Sequence, residues 1–381
     1  DDLVEERGQD ILEAEGIAMG GGYFGGKLYA IPSEEKMGRS YGIGARTDLI
    51  EKYNFDVEGI KSYDDLEYMF KTIKENEPDI IPFALVGQSE GAARFMMQID
   101  DLGSSVGTGV LMDGGMGDTT IVNLFETEEY KYHVTKMREW YNAGYIPQDA
   151  LTTNETPVDL IKAGRAFCGT LSTEPGMAEN LTRDVGMPMT AITTVDKYAT
   201  SSMFQISMWS IPATCENPEK TMDFLNLTYE SEGVINLLSN GIEGKQYVKT
   251  DYPMIITYPE GVTVGTTGYN MPLGIFGDKM KKYAWAPTSP DIFDQLREFN
   301  EEVSTKYASK ALGYTFNSES VKTEVAAISN IISEYLPALE TGTVDPEVAL
   351  PEYIEKLKSA GIDKVIEENQ RQLDAWLAEK E

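Results

Sequence analysis

Histidine is nearly missing from this chain: 381 residues contain one, His133, and the only cysteines are Cys168 and Cys215. A zinc site draws several ligands from patterns such as C-x-x-C or H-E-x-x-H, and neither occurs. The two thiols show no metal spacing, and whether they pair is not readable from sequence, so the redox compartment stays open. Basic residues are scarce too. Against 63 Asp and Glu stand 32 Lys and Arg, a formal charge of −31, which repels phosphate backbones and anionic membrane surfaces and argues against nucleic acid as a partner. The plainest account of the charge is solubility. No run approaches the roughly 18 apolar residues of a membrane helix, and no basic, apolar, small-residue signal opens the chain, which begins at Asp1 without Met. With 41% hydrophobic and 25% charged residues, the chain can bury one large or two ordinary cores, and two lobes are expected.

The scarcity of histidine also disposes of the motifs that look catalytic. Gly87-Gln88-Ser89-Glu90-Gly91 matches G-x-S-x-G after an expected strand, but a triad in the usual order would force its acid into the interval between Ser89 and His133, which lies beside the apolar face of a helix. Gly20 to Gly25 matches G-x-G-x-x-G, yet a strand at 28–32 follows where a phosphate loop needs a helix. Asp113-Gly114-Gly115-Met116-Gly117-Asp118 lacks the alternating oxygen ligands of an EF-hand loop, leaving calcium unsupported. Glu34-Glu35, Glu90 and Glu174 could supply paired carboxylates, but 63 acids offer such pairs by chance. Lys279, Lys281 and Lys282 beside Trp285 could favour an anionic ligand; a solvated face is the plainer reading.

Local patterning is clear in places. Ser62 and Asp65 form a capping-box pattern, and Leu66, Met69, Phe70 and Ile73 then recur at helical spacing until Glu77-Pro78. A short strand follows at 82–86, so residues 41–86 read as strand, helices, strand, the alternation of a parallel sheet with a right-handed crossover. Six glycines between Gly103 and Asp118 predict a long loop. A helix is expected over 126–144, strands over 165–171 and 185–189, and helices after Ser289-Pro290-Asp291 and Asp345-Pro346.

Residues 203–247 say most. An apolar run ends at Ile211-Pro212, a polar turn follows, and Asn217-Pro218 opens an amphipathic helix that runs into Gly241-Ile242-Glu243-Gly244-Lys245-Gln246-Tyr247. Asn217 can accept a bond from an orphan amide, and Pro218 occupies the first turn, where its missing N–H costs nothing. This strand, the Asn217-Pro218-Glu219-Lys220 start and the glycine-rich ending resemble the second half of an extracellular solute-binding protein of an ABC importer, in the oligosaccharide-binding group known as family 1. Gly26-Lys27-Leu28-Tyr29-Ala30-Ile31-Pro32 resembles the segment in which such proteins cross between lobes, and 334–372 resembles the helical C-terminal region of the larger, lipoprotein-type members.

The resemblance implies an α/β, periplasmic-binding-protein-like two-lobe fold of type II, with parallel-rich sheets flanked by helices. It assigns 1–31 and 210–275 to an N-terminal lobe, 32–209 and 276–381 to a C-terminal lobe with a helical tail, and hinges to Tyr29, Ile31, Pro32 and Ile211. Members normally open with strands and helices of the first lobe, behind a signal and often a lipid-bearing Cys. Here the crossing segment arrives by Lys27, so the first lobe is expected to be incomplete and the sequence a fragment.

A sugar presents apolar C–H faces and a rim of hydroxyls, so its site calls for flat rings with carboxylates, amides and Arg around them. By position in the resemblance, Trp209 and Trp285 line the cleft, joined by Glu35, Gln88, Glu90, Arg94, Glu174 and Gln205; Ser172 and Thr173 flank Glu174. Trp140 and Trp376 lie in amphipathic helices and read as packing. The expected function is capture of a carbohydrate, an oligosaccharide first of all, in an interlobe cleft, and delivery to an ABC transporter permease, by a monomer without catalytic residues, cofactor or metal. The expected location is extracellular, lipid-anchored or periplasmic. Alternatives are a carbohydrate-active enzyme using Glu35, Glu90 or Glu174, and a glycan-sensing or adhesion module.

Overall fold

The computed structural model describes residues 2–24, 26–33, 36–87, 92–269 and 277–380, with Ala92 by its backbone alone. Glu35, Gln88 and Glu90 lie outside the described residues. The chain divides into two compact units, Asp1–Gly38 with Ser201–Lys306 and Arg39–Thr200 with Tyr307–Glu381. Local pairing sets these limits. Met208–Trp209 runs antiparallel to Ile31–Pro32, the Ser33 amide donates to the Ser207 carbonyl at 3.0 Å, and Ala284–Trp285 pairs with Ile255–Thr257. Of the described residues, 32–33, 36–38, 201–209 and 277–306 thus fall in the first unit, where the sequence reading puts them in the second lobe.

The second unit is built on a four-stranded sheet in the order Ile81–Phe83, Ala166–Ser172, Arg39–Arg46, Met189–Tyr198. The pair at one edge, Ile81–Phe83 with Ala166–Ser172, is parallel; the other two pairs are antiparallel. The expected parallel crossover within 41–86 is therefore corrected: Ala166–Ser172 lies between its two strands, and they run in opposite directions. The linking helix stands as patterned, Tyr63–Asn76, with the Ser62–Asp65 capping box formed and Leu66, Met69, Phe70 and Ile73 buried. The expected strand at 185–189 gives way to the end of the Met177–Val185 helix, and the strand starts only at Met189.

Beside the sheet, Trp140 of the Glu128–Asn142 helix is fully buried against Phe70 and Phe83. A second core joins residues from 93–134 to the helices Lys322–Glu340, Pro346–Ser359 and Ile362–Ala378. Gly342, at φ +69°, lets the turn after the first of these press on the Glu128–Asn142 helix: a Cβ there would meet the Met137 carbonyl, and its own carbonyl accepts from Arg138 at 3.0 Å. Trp376 is only partly buried against this core.

In the first unit, Val4, Ile11, Met19, Ile31, Met222, Leu225 and Tyr229 form one small core, and Ile255, Ile292, Phe293 and Leu296 another. The expected 203–211 strand is reduced to Met208–Trp209, preceded by a 3₁₀ turn over Ser201–Gln205. Asn217 precedes the Pro218–Glu230 helix but its side chain makes no cap; Ser231 caps the next helix, Glu232–Asn240, instead. No described helix is long and apolar enough to cross a membrane.

Two buried groups of the second unit give opposite pH signatures. His133 is enclosed, its Nδ1 2.8 Å from the Tyr63 hydroxyl, and burial drives its pKa down to about 3. Between the ordinary imidazole range and pH 3 the unfolded chain binds a proton that the folded one refuses, so this contribution to stability is lost as pH falls. Asp100 is pushed by burial up to about 6, helped by Asp101 and opposed by Ser309, the Leu102 amide and Arg94. Its contribution is full below the ordinary carboxyl pKa and is lost as pH rises through 6. Asp100→Asn should accordingly raise stability at pH 7.5, by on the order of 2 kcal/mol, and change little at pH 4. Melting curves at both pH values check this; an equal shift at both would show that the charge is not the cause.

Candidate functional site

In the second unit, antiparallel register brings chemistry to one end of the sheet. Tyr41 lies opposite Ser172 on one side and Val195 on the other, and Arg39 lies opposite Tyr198 across a bulge. Arg39 and Tyr41 are two apart on a strand and so share a face. Just past the end of Ala166–Ser172, the buried Glu174 carboxylate accepts from the Ser40 amide at 3.3 Å and stands 3.8 Å from Arg39 Nε. Thr173 Oγ1 bonds the Ser40 and Thr193 hydroxyls, each at 3.0 Å.

Arg94, on the 3₁₀ turn Ala92–Phe95, donates to Asp101 Oδ2 at 2.7 Å. Burial works against its charge, but Asp101, Tyr198 and Tyr41 together outweigh it and lift the guanidinium above its usual range. Burial also raises the Tyr41 hydroxyl, while Arg94 and Arg39 pull it down. The Tyr41 and Tyr198 rings lie 6.4 Å apart. Asp101 Oδ1, also buried, has no partner among the described residues. A buried acceptor left open in this way is costly unless a water or a ligand hydroxyl meets it.

Of the residues expected from sequence, this unit therefore gathers Arg94 and Glu174, both already engaged by protein groups. Arg39, Tyr41, Asp101 and Tyr198 were missed. The two-residue spacing of Arg39 and Tyr41 on a strand was the available signal; nothing local tied Asp101 to Arg94.

The first unit carries Gln205, Trp209 and Trp285. Gln205 Nε2 reaches the Gly21 carbonyl at 3.4 Å. Trp209 pairs with Ile31 and packs against the Val4–Tyr229 core. The expected hinge residues also sit inside this unit: Ile31 and Pro32 are buried, Pro32 accepts from the Tyr229 hydroxyl at 3.2 Å, and Ile211 packs on the same core. Tyr29 is exposed, though its carbonyl accepts from Ser210 at 3.0 Å. The chain passes between units elsewhere, at Gly38/Arg39, Thr200/Ser201 and Lys306/Tyr307.

Trp285 is arranged differently. It is half-buried at the edge of Tyr247, Ile256 and Tyr283, and its ring lies 4.4 Å from that of Tyr258 at 35°. The indole Nε1 donates to Asn240 Oδ1 at 3.1 Å. Tyr258, also half-buried, went unseen in the sequence because it stands in a loop with no periodicity. The basic residues nearby are engaged within the protein: Lys279 with the Ser33 carbonyl, and Lys281 with the Tyr229 carbonyl at 2.6 Å and Asp278 at 3.4 Å.

No three His, Cys, Asp or Glu side chains gather as a metal would need, among the described residues. A groove of about 890 Å³ lies on the second unit's helices, lined by Lys131, Thr135, Leu350, Pro351 and Ile354. It shares no residue with either constellation.

A family model described as "Domain of unknown function (DUF3502)" matches residues 310–378. The whole chain aligns with a carbohydrate ABC transporter substrate-binding protein of Streptococcus pneumoniae serotype 4, at 30% identity over 393 residues and 76% of that protein's length. Among solved structures, the N-glycan transport solute binding protein NgtS of S. pneumoniae is 28% identical with a TM-score of 0.86, covering 100% of this chain and 82% of that one. The same protein in complex with Man5GlcNAc gives 28% identity and a TM-score of 0.81, with the same coverage.

Proposed function

The chain belongs to the substrate-binding proteins of carbohydrate ABC transporters, with their α/β fold, and from that premise we propose that it captures a neutral oligosaccharide outside the cell and passes it intact to a membrane permease. The match over the whole of this chain carries the reading, and the two constellations supply its chemistry. Trp285 and Tyr258 offer flat apolar area for a pyranose face. Asp101 Oδ1 offers an acceptor for a hydroxyl beside a guanidinium already fixed. Glu174 acts by holding Arg39 and the Ser40 amide.

Neutrality of the ligand follows from the cations. Arg94 is paired with Asp101, Arg39 faces Glu174, and Lys281 pairs with Asp278. A chain of charge −31 also repels anions at long range. Mannose- and N-acetylglucosamine-containing glycans are the first candidates, because NgtS has been solved with Man5GlcNAc. The protein acts as a monomer on the cell surface or in the periplasm.

Calorimetry with Man5GlcNAc and with a uronate oligosaccharide of similar length should show binding of the first alone, and mass spectrometry should recover the glycan uncut. Binding of the uronate alone would overturn the neutral reading, and cleaved product would turn the reading toward an enzyme. A ligand that binds only the folded state should also raise the melting temperature.

A further inference from the structure

The Glu232–Asn240 helix buries two asparagines one turn apart, Asn236 and Asn240, and polar groups so placed are retained only when fully bonded. Asn236 Nδ2 donates to the Glu232 and Lys281 carbonyls, both at 2.9 Å, and its Oδ1 accepts from the Tyr283 amide at 2.8 Å. Asn240 Nδ2 donates to that same Asn236 Oδ1 at 2.9 Å, which leaves Asn240 Oδ1 for the Trp285 indole N–H at 3.1 Å. The relay thus fixes the chain at Tyr283 and the side chain two residues on.

On this geometry, and resting on the carbohydrate-binding reading above, we infer that Asn240 is a positioning residue for Trp285 and that this subsite recognises a pyranose by its C–H face, not by its hydroxyls. Trp285 has a single N–H, and Asn240 occupies it. The ring is pinned at one edge by this bond and flanked by Tyr258, so what it presents to a sugar is flat apolar area. An equatorial hydroxyl lies on the rim of the stacked sugar and leaves this contact in place, whereas an axial hydroxyl on the stacked face projects toward the indole and breaks it. The subsite therefore accepts epimers that keep an apolar face, and discrimination between them belongs to other residues. Pre-fixing the ring also removes rotamer entropy that ordering on binding would otherwise cost.

The test is a double-mutant cycle of Asn240→Leu, which removes the acceptor for the indole, and Trp285→Phe, which removes the donor, using Man5GlcNAc calorimetry and the indole N–H signals in ¹⁵N NMR, the Trp285 signal being assigned by its loss in Trp285→Phe. The expected result is a roughly tenfold loss for each single variant, no further loss in the double variant, and a displaced Trp285 N–H signal in Asn240→Leu. In the unmutated protein that signal should remain hydrogen-bonded when glycan is added. Three outcomes would overturn the inference: affinity losses that add in the double variant, an Asn240→Leu variant that binds normally, or a Trp285 N–H that transfers to the glycan. Failure of the underlying reading looks different, because then neither the unmutated protein nor any variant binds the glycan. A melting curve for each variant separates a folding defect from lost positioning.

Discussion

Trp285→Ala should weaken Man5GlcNAc binding about a hundredfold, the effect of removing a hot-spot contribution of roughly 2–3 kcal/mol. The ring is half-buried and lies 4.4 Å from that of Tyr258 at a tilt of 35°, so truncation removes one side of an aromatic pair. Part of the loss is structural, since Asn240 Oδ1 is left without its donor, at a cost of about 1 kcal/mol in stability. Trp285→Phe separates the two: it keeps a flat face but lacks the indole N–H, and should lose only about tenfold. Calorimetry reads both, and an unchanged dissociation constant in Trp285→Ala would remove this residue from the site. Trp209→Ala makes a poorer probe, because Trp209 packs on the core containing Ile31 and Met222 and its loss disturbs that core as well.

The largest stability effect should come from Trp140→Ala, at about 4 kcal/mol. Trp140 is fully buried, edge-on to Phe70 at 4.9 Å and Phe83 at 6.1 Å, and 5.8 Å from Tyr63. Its Nε1 also donates to Glu67 at 3.4 Å. Alanine leaves a void between strand and helix that these rings cannot close. In calorimetry the transition of the second unit should fall by about 10 °C. Trp376→Ala, at a partly buried site, should cost much less. Similar costs for both would mean that the packing around Trp140 relaxes into the void.

The same two tryptophans show what could be read in advance. Trp140 was legible as packing because helical spacing is local, as were the Ser62–Asp65 cap and the buried stripe from Leu66 to Ile73. Strand order was not legible. Nothing near Arg39–Arg46 announces that Ala166–Ser172 will lie beside it, because that pairing depends on residues far apart in the chain. The segment over 203–211 misled for a physical reason: Ile206 and Met208 are exposed, so apolar composition there does not mark a buried strand. Trp209 and Trp285 look alike in sequence, and both rings are half-buried against a core; only their partners tell them apart, Ile31 for the one and Tyr258 with Asn240 for the other. Asp101 and Tyr258 gave no motif at all. Their meaning comes from Arg94 and Trp285, which they meet through folding.

The order in which the chain visits its two units bears on how it is made. The helical core of the second unit joins residues from 93–134 to residues from 311–373, with the whole 201–306 segment of the first unit in between. At about 5–20 residues per second, a ribosome needs roughly ten to thirty-five seconds to pass from one part of that core to the other. During this interval Leu111, Leu124, Phe125 and Tyr130 lack the Leu350, Tyr353, Leu357 and Leu373 that cover them. A nascent chain of this design leaves that apolar surface uncovered until its last helices emerge, and those helices close the second unit only after the described part of the first has been synthesised.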